Sequence, residues 1–204
     1  MAKRDGGQKI VTDDPKPGTD QLMQAAQAAA RTGKLPPVHL WTPPFCGDID
    51  MEIRRDGTWF HEGTPIGRAP LVRLFSTILK KEGDRYFLVT PVEKVGIRVE
   101  DAPFVAQDFE VRGEGTGQVI TFTTNVGDKV VAGPENAIRV VRDAAGEPSP
   151  YVHVRAGLEA LIDRKSFYRL VDLGEAHRTG GEDWFGVWSG GAFFPIIPVR
   201  ELMP

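Results

Sequence analysis

Four histidines and one cysteine are the side chains of this sequence best suited to acid–base or nucleophilic chemistry. His61 and His153 each end a predicted strand just before a turn or a helix start. Each is therefore a candidate general base, with Glu62 or Arg68 close to His61. The alternative is that both are half-buried strand histidines whose rings bond to the backbone. The full set is His39, Cys46, His61, His153 and His177.

The spacing of these residues gives no support to a metal or cofactor site. His39 and Cys46 do not stand at a spacing typical of zinc ligands. A single cysteine also excludes an intrachain disulfide and any site that needs two thiolates. We therefore expect no metal and no cofactor.

Two glycine-containing strings match known functional loops only in part. Residues 112–117 (RGEGTG) precede a predicted strand rather than the helix that a phosphate-binding loop requires, so we interpret them as a hairpin tip. The string Val187–Gly191 (VWSGG) has valine where a nucleophile elbow needs glycine, and no helix follows it. Serine hydrolase chemistry therefore has no support in the sequence.

The acidic pair Asp48 and Asp50 is the remaining catalytic pattern, since two carboxylates can act together in glycoside hydrolysis. The alternation DIDMEIR over Asp48–Arg54 places both on the polar face of a strand, where solvated acids are common. Aromatic and basic residues offer a different possibility, a pocket between two structural units, although the favoured interpretation is that they fill two small cores. They are Trp59, Arg68, Tyr86, Lys94 and Trp184.

The composition limits the partners that we expect for the chain. Its 204 residues carry 25 basic and 28 acidic side chains, a formal charge of −3, with the two signs interspersed. This pattern shows no basic patch, so we expect no nucleic-acid partner. No apolar run approaches the roughly 18 residues that a membrane helix needs, and no apolar segment follows the N-terminal charges, so we expect no membrane association. The expected location is cytoplasmic.

Composition and hydrophobic periodicity divide the chain into four parts. Residues 1–18 are predicted to be a flexible N-terminus. Residues 19–45 are predicted to form a helix that ends near Gly33, followed by a proline-rich strap. We expect a first α+β unit at 46–106 and a second, β-rich α+β unit at 107–204. The predicted anchors of the strap are Val38, Leu40, Trp41 and Phe45.

The first unit is predicted to be a helix packed on an antiparallel sheet. Asp56 and Gly57 form a strong hairpin signal between its first two strands. The predicted elements are the strands Asp48–Arg54 and Thr58–His61, a helix from Pro70 to Gly83, and the strands Tyr86–Thr90 and Lys94–Val99.

The second unit is predicted to be mostly short strands, with one helical region at Gly157–Leu173 and a proline-bounded tail after the last strand. Its predicted strands are Asp108–Arg112, Gln118–Thr124, Lys129–Ala132, Ala137–Arg142, Tyr151–Val154 and Trp184–Trp188.

An internal structural repeat is predicted from an offset of 92 residues. That offset aligns His61 with His153 and Phe75 with Phe167, and the order of strands and helix agrees as well. The fold that we expect is therefore α+β, with antiparallel sheets and a packed helix in each of two similar units, after an N-terminal helix. The alternative is two unrelated hairpin-plus-helix units.

Several strings of this chain resemble a bacterial family called domain of unknown function 1285. The resemblance extends over about residues 35–195, and its TPVEK and EDAPF strings are the most specific. It implies two parts that share an α/β motif, suggests signalling or ligand binding, and implies no catalytic residue. The strings are D-G-x-W at Asp56–Trp59, P-I-x-R at Pro65–Arg68, Leu74-Phe75, LVTPVEK at Leu88–Lys94, VEDAPF at Val99–Phe104, FTTN at Phe122–Asn125 and GLEAL at Gly157–Leu161.

Polar residues beside turns and prolines are our candidates for ligand binding, because side chains can converge there and the apolar pattern does not require them. An ordinary salt-bridge network is the alternative. We expect a non-catalytic binding or regulatory module that recognises an unknown small molecule or a protein in the groove between its units. The other hypotheses are a small hydrolase-like enzyme with His61 or His153 as acid or base, and an interaction protein that works as a homodimer. The candidates are Arg68, Glu93, Lys94, Asp101 and His61.

Overall fold

The computed structural model describes residues 23–24, 26–28 and 35–202, which form a mixed α/β fold made mostly of strands. The strands lie in two sheets of six and one sheet of three. The elements are β1 (Phe45–Ile53), β2 (Trp59–His61), β3 (Thr64–Pro65), α1 (Ala69–Thr77), β4 (Leu79–Glu82), β5 (Arg85–Val89), β6 (Lys94–Val99), β7 (Phe104–Arg112), β8 (Val119–Thr124), β9 (Lys129–Val131), β10 (Ile138–Arg142), β11 (Pro148–Arg155), β12 (Leu158–Ile162), α2 (Arg164–Val171), β13 (Glu175–Thr179), β14 (Glu182–Ser189) and β15 (Ala192–Pro198).

The two six-stranded sheets have the same topology. The first has the order β3-β2-β1-β6-β5-β4, and the second has the order β10-β11-β12-β7-β8-β9. Each consists of two antiparallel three-stranded meanders, and the first strand of the unit pairs in parallel with its last, β1 with β6 and β7 with β12. The predicted antiparallel sheets are thus mixed, with one parallel junction at the centre of each.

This topology is consistent with a repeat, but it contradicts the 92-residue alignment. The sheets equate β1 with β7, β2 with β8 and β5 with β11. The 92-residue offset instead places β2 on β11 and α1 on α2. The two helices also hold different positions, since α1 connects the meanders of the first unit whereas α2 follows the last strand of the second. The offset was misleading because strands followed by a helix occur at both places with similar apolar spacing.

The first predicted helix is shorter than its apolar stripe suggests. The helix α1 ends at Thr77, and Leu79–Glu82 form β4, which pairs with β5. Gly83 therefore lies in a hairpin turn, with φ of +59°, rather than ending the helix. A glycine in the left-handed region can end a helix or form a hairpin turn equally well. Only the pairing of β4 with β5 shows which of the two Gly83 does. Phe75 of α1 is buried, and its ring stacks on that of Trp59 with the centroids 6.2 Å apart.

The second predicted helix begins later in the chain than the sequence indicates. Residues 158–162 form β12, and α2 begins only at Arg164, after Asp163 caps it by accepting the N–H of Ser166 at 2.7 Å. Leu158, Ala160 and Ile162 are buried in alternation with their neighbours, a period of two that the helical interpretation overlooked.

The first part of the predicted proline-bounded tail, residues 195–198, instead belongs to a strand, β15, in a third sheet ordered β13-β14-β15. Pro195 is exposed in β15 and lies opposite Gly186. Proline is tolerated there because β15 is an edge strand, whose outer side needs no N–H donor.

The N-terminal predictions fall mostly outside the described residues, including the flexible segment 1–18. The described residues 23–24 and 26–28 are helical, and Ala26 is fully buried. In the predicted strap, Val38 and Trp41 pack against the core, whereas Leu40 and Phe45 are exposed. The strap is therefore attached at two of its four predicted anchors.

One continuous core runs through all three sheets. It contains Met51 and Trp59 of the first sheet, Phe104 and Phe122 of the second, and Phe194 of the third. The chain thus folds around a shared apolar centre, and the two units do not have separate cores.

Ser189 joins the third sheet to the second by two buried hydrogen bonds. Its Oγ accepts the N–H of Ile120 at 2.9 Å, and its hydroxyl donates to the carbonyl of Ala132 at 2.7 Å. The serine of the VWSGG string is therefore a structural connection, in agreement with the exclusion of a nucleophile elbow.

We predict that Ser189→Ala lowers the free energy of unfolding by about 1–3 kcal/mol, because a buried N–H and a buried carbonyl lose their partner. Urea unfolding followed by circular dichroism measures this change. Ser166→Ala is the matched control: its hydroxyl is equally buried but has no hydrogen-bond partner among the described residues. The control should change stability by less than about 0.5 kcal/mol or increase it. Equal losses in the two variants would contradict the assigned role of Ser189.

Candidate functional site

The TPVEK string forms the turn between β5 and β6. The N–H of Glu93 donates to Thr90 Oγ1 at 3.2 Å, and the N–H of Thr90 donates to the carbonyl of Glu93 at 2.9 Å. The side chain of Glu93 is 8% exposed, and its burial raises the pKa of the carboxyl group. Lys94 Nζ lies 2.9 Å from Glu82 Oε2 and above the ring of Phe87. The contacts of Glu93 and Lys94 thus belong to this turn and the hairpins beside it.

Asp101 lies in the segment that connects the two sheets and bridges them electrostatically. Its Oδ2 is 3.3 Å from Arg55 Nε, next to the first hairpin, and its Oδ1 accepts the hydroxyl of Tyr151 in β11 at 2.8 Å. Burial, together with this bond to Asp101, raises the pKa of Tyr151. The described contacts of Asp101 are those of a structural bridge.

The other two predicted site residues lie on different elements. Arg68 is exposed and directly precedes α1, without a side-chain cap bond to it. His61 is half-buried at the end of β2, opposite Met51 of β1. The five predicted residues are thus distributed over the β5–β6 turn, the connection between the sheets, the start of α1 and the end of β2. Their role in binding a ligand remains a prediction.

The ring of His153 is fully engaged by backbone groups. Its Nδ1 lies 2.9 Å from the carbonyl of Glu135, and its Nε2 accepts the N–H of Gly157 at 3.1 Å. These partners require a neutral ring with its proton on Nδ1. Neither nitrogen is free to take a proton from a substrate, so the geometry favours the structural interpretation of His153.

A cleft of about 590 Å³ lies between the two units. One wall is the tip of the β1–β2 hairpin, residues 56–59, together with Ile66 and the start of α1. The other wall comes from the second unit, with Gln107 of β7 and the β8–β9 turn at Asn125 and Val126. We call this feature the inter-unit cleft.

Asn125 fixes the two walls of the inter-unit cleft to each other. Its Oδ1 accepts the N–H of Val105 at 3.0 Å within the second unit, and its Nδ2 donates to the carbonyl of Gly57 in the first unit at 3.2 Å. Gly57 has φ of +82°, and a Cβ there would lie only 2.6 Å from Asn125 Nδ2. The Asp56-Gly57 turn therefore needs glycine for its backbone conformation and for this close approach.

A second connection joins the β8–β9 turn to α1. Arg155 in β11 forms an ion pair with Asp128 at 2.5 Å and donates to the carbonyl of Ser76, near the end of α1, at 3.0 Å. Its guanidinium also lies above the ring of Phe104. Because both Arg155 and Asp128 are less than one-third exposed, this pair is better shielded from water than the surface ion pairs of the chain.

Three polar groups that line the cleft have no protein partner among the described residues. Arg73 on α1 and Gln107 on β7 are exposed, and no hydrogen bond or ion pair engages their side chains. Trp59 is 1% exposed, and its Nε1 donor has no acceptor. Leaving a buried donor unsatisfied costs about 1–3 kcal/mol, and Trp188 Nε1 is a second such donor among the described residues.

Sequence reasoning named Trp59 as a pocket residue but did not identify Arg73, Gln107 or Asn125. Gln107 projects at a β-bulge between Ala106 and Asp108, which is visible only in the pairing of β7 with β8. The signal for Asn125 was available, since asparagine in a predicted turn often bonds to nearby backbone groups.

Two other features, a metal-binding cluster and a membrane-spanning helix, are absent from residues 23–24, 26–28 and 35–202. No group of three or more His, Cys, Asp or Glu residues there is placed to hold a metal ion. Among these same residues, none of the helices has the length and apolar character needed to cross a membrane.

We predict that Glu93→Gln stabilises the protein at neutral pH. Because burial raises the folded-state pKa of Glu93 above its ordinary value of 4.5, the ionised carboxylate disfavours folding. The increase in the free energy of unfolding should be present above the raised pKa and shrink as the pH falls through it. It should vanish below 4.5, where the wild-type carboxyl is protonated in both the folded and the unfolded state. Urea unfolding between pH 8 and pH 4 measures it.

Glu82→Gln is the control with the opposite sign. Hydrogen bonds from Lys94 and Lys80 lower the pKa of Glu82, so its ionised form favours folding above 4.5. This variant should be less stable than wild type at neutral pH, with the difference disappearing as the pH falls through the lowered pKa. Destabilisation by Glu93→Gln at pH 8 would show that the ionised carboxylate makes a favourable contact.

Comparisons with known proteins agree with this two-unit organisation. A family model described as the DUF1285 N-terminal domain, of unknown function, matches residues 36–102. The model of the DUF1285 C-terminal domain, also of unknown function, matches residues 103–196. The two matched regions meet just before β7 begins at Phe104. No curated protein matches the chain.

Two solved structures of DUF1285 family proteins are similar to this chain. The protein from Silicibacter pomeroyi DSS-3 is 65% identical, and the match covers 90% of this chain and 98% of that one, with a TM-score of 0.82. The protein from Shewanella baltica OS155 is 30% identical over 60% of this chain and 90% of that one, with a TM-score of 0.48. On the strength of the two family models and the Silicibacter structure, this chain belongs to the DUF1285 family.

Proposed function

We propose that this protein is a non-catalytic binding module that takes a small molecule into the inter-unit cleft and serves a regulatory or signalling role. The observation that carries the proposal is the cleft itself. Its volume of about 590 Å³ is typical of small-molecule sites, which lie within about 300–1,000 Å³. Its lining combines apolar side chains with polar groups that have no partner within residues 23–24, 26–28 and 35–202.

The chemistry of the lining favours binding over catalysis. Among the described residues that line the cleft, Asp56 is the one carboxylate, and there is no histidine or cysteine. Hydrogen bonds from the backbone and side chain of Thr58 lower the pKa of Asp56. A general acid or base working near neutral pH needs the opposite shift, so Asp56 is poorly suited to that role.

A regulatory role follows from where the cleft lies. Arg73 belongs to α1 of the first unit and Gln107 to β7 of the second, so a ligand that touches both contacts both units. Such a ligand would favour the arrangement of the units that brings the two side chains to it. Binding would then affect the surface around the connection between the sheets, where a downstream partner could detect the change.

We predict that Gly67→Trp abolishes ligand binding. Gly67 lines the cleft, and a Cβ there meets no atom within 4 Å, so a large side chain can enter the open space without backbone strain. A thermal-shift screen of a metabolite library on the wild-type protein should give at least one compound that raises the melting temperature by about 5–10 °C at 100 times its Kd. The same compound should leave the melting temperature of Gly67→Trp unchanged.

Gly117→Trp is the matched control. Gly117 also has open space around its Cβ position and an ordinary φ, but it lies at the β7–β8 turn, outside the lining of the cleft. This variant should respond to the compound as the wild type does. A library without a hit at millimolar concentration, or hits that Gly67→Trp leaves intact, would refute binding in the cleft.

A further inference from the structure

We infer that the ligand of the inter-unit cleft carries an oxyanion, either a carboxylate or a phosphate group, that is bound by Arg73 and Gln107. This inference rests on the proposed function and specifies the chemical class of its ligand. It depends on three observations within the described residues: an unpaired cation, an exposed amide on the opposite wall, and a lining whose one carboxylate is not paired with that cation.

Arg73 supplies the positive charge. Most described arginines are engaged by carboxylates, carbonyls or aromatic rings, for example Arg85 with Asp48 and Arg155 with Asp128. Within the described part of the chain, the guanidinium of Arg73 has no such partner, although it stands on α1 at the lining of the cleft. A planar guanidinium presents paired N–H donors that match the geometry of a carboxylate or phosphate.

Arg73 has no ion pair with the one carboxylate of the described lining, that of Asp56. This carboxylate accepts the N–H of Thr58 at 2.8 Å, on the hairpin tip where both residues lie. The side chain of Asn125 is occupied by Val105 and Gly57. The donors of Arg73 are therefore left for a ligand, and an acceptor-rich group is their complement.

Gln107 supplies further hydrogen bonds, and Trp59 provides a signal that reports on the cleft. The indole of Trp59 forms part of the lining, but its Nε1 atom is buried beneath the surface. The exposed amide of Gln107 stands at the bulge on the opposite wall. An oxygen-rich group in the cleft would give this amide a partner, and a neutral apolar ligand would give it none.

The remaining walls predict an apolar part of the same ligand. Ile66, Val72 and Val126 line the cleft beside the ring of Trp59. Suitable probes therefore join an aromatic ring to an oxyanion. Benzoate and phenyl phosphate represent the two anion classes, inorganic phosphate tests the anion alone, and benzyl alcohol is a neutral control.

The experiment is a titration of the full chain with each probe, followed by two-dimensional ¹H–¹⁵N NMR. The sequence contains four tryptophans, so the indole region contains up to four N–H signals, and Trp59→Phe assigns that of Trp59. Benzoate, phenyl phosphate or both should shift the Trp59 signal in a saturable manner, while benzyl alcohol binds at least about tenfold more weakly. A response to phenyl phosphate and inorganic phosphate alone identifies a phosphate site, and a response to benzoate alone identifies a carboxylate site.

Arg73→Gln should raise the Kd of the responding anion at least about tenfold, because the charge and the paired donors are lost. Arg112→Gln is the matched control, since Arg112 is also exposed and has no partner among the described residues but lies outside the lining of the cleft. It should leave the Kd unchanged. Equal effects of the two substitutions, or anions that do not shift the Trp59 signal, would overturn the oxyanion assignment.

The outcome separates this inference from the proposed function. Library compounds that lose binding in Gly67→Trp, yet are neutral and insensitive to Arg73→Gln, would preserve the cleft as the binding site and refute the oxyanion. If Gly67→Trp leaves the binding of every compound and anion unchanged, both proposals are wrong.

Discussion

The side chain of Asn125 is the contact on which the arrangement of the two units depends. It bonds to Val105 in its own sheet and to Gly57 in the hairpin of the other sheet, and both atoms of its amide are used. A Cβ on Gly57 would lie only 2.6 Å from Asn125 Nδ2, so a residue larger than glycine would displace this side chain. Arg155 strengthens the same junction by joining Asp128 to the end of α1. These contacts therefore favour the arrangement of the cleft walls that this structure shows.

The parallel junction within each six-stranded sheet explains how the chain forms two similar units around one core. Each unit is a pair of meanders, and pairing its first strand with its last places both ends of the unit at the centre of the sheet. The connection at Asp101 is consequently short and lies between the sheets. The ion pair with Arg55 and the hydrogen bond from Tyr151 both form at this place. Asp101, which was predicted as a site residue from its position beside a turn, thus contacts both sheets.

The candidate site shows why turn-based reasoning identified some polar residues but not the cleft. Glu93 and Lys94 stand at a turn as expected, but their hydrogen bonds and ion pairs serve neighbouring hairpins. Arg73 and Gln107 lie on a helix and a strand, with sequence neighbours that give no indication of binding. Their common feature is the lack of a protein partner within the described part of the chain. That feature becomes visible only when the contacts of every charged and amide side chain are known.

The sequence by itself determined the strand-rich α/β character, the Asp56-Gly57 hairpin, most strands of the two units and membership of the family, because these depend on local periodicity, turn residues and characteristic strings. Tertiary structure decided the rest. Leu79–Glu82 and Leu158–Ile162 became strands because pairing partners were available in β5 and β7. Long-range strand pairing also decided which strands of the two units correspond and where the inter-unit cleft lies. Local preferences do not specify which distant segments pair with each other.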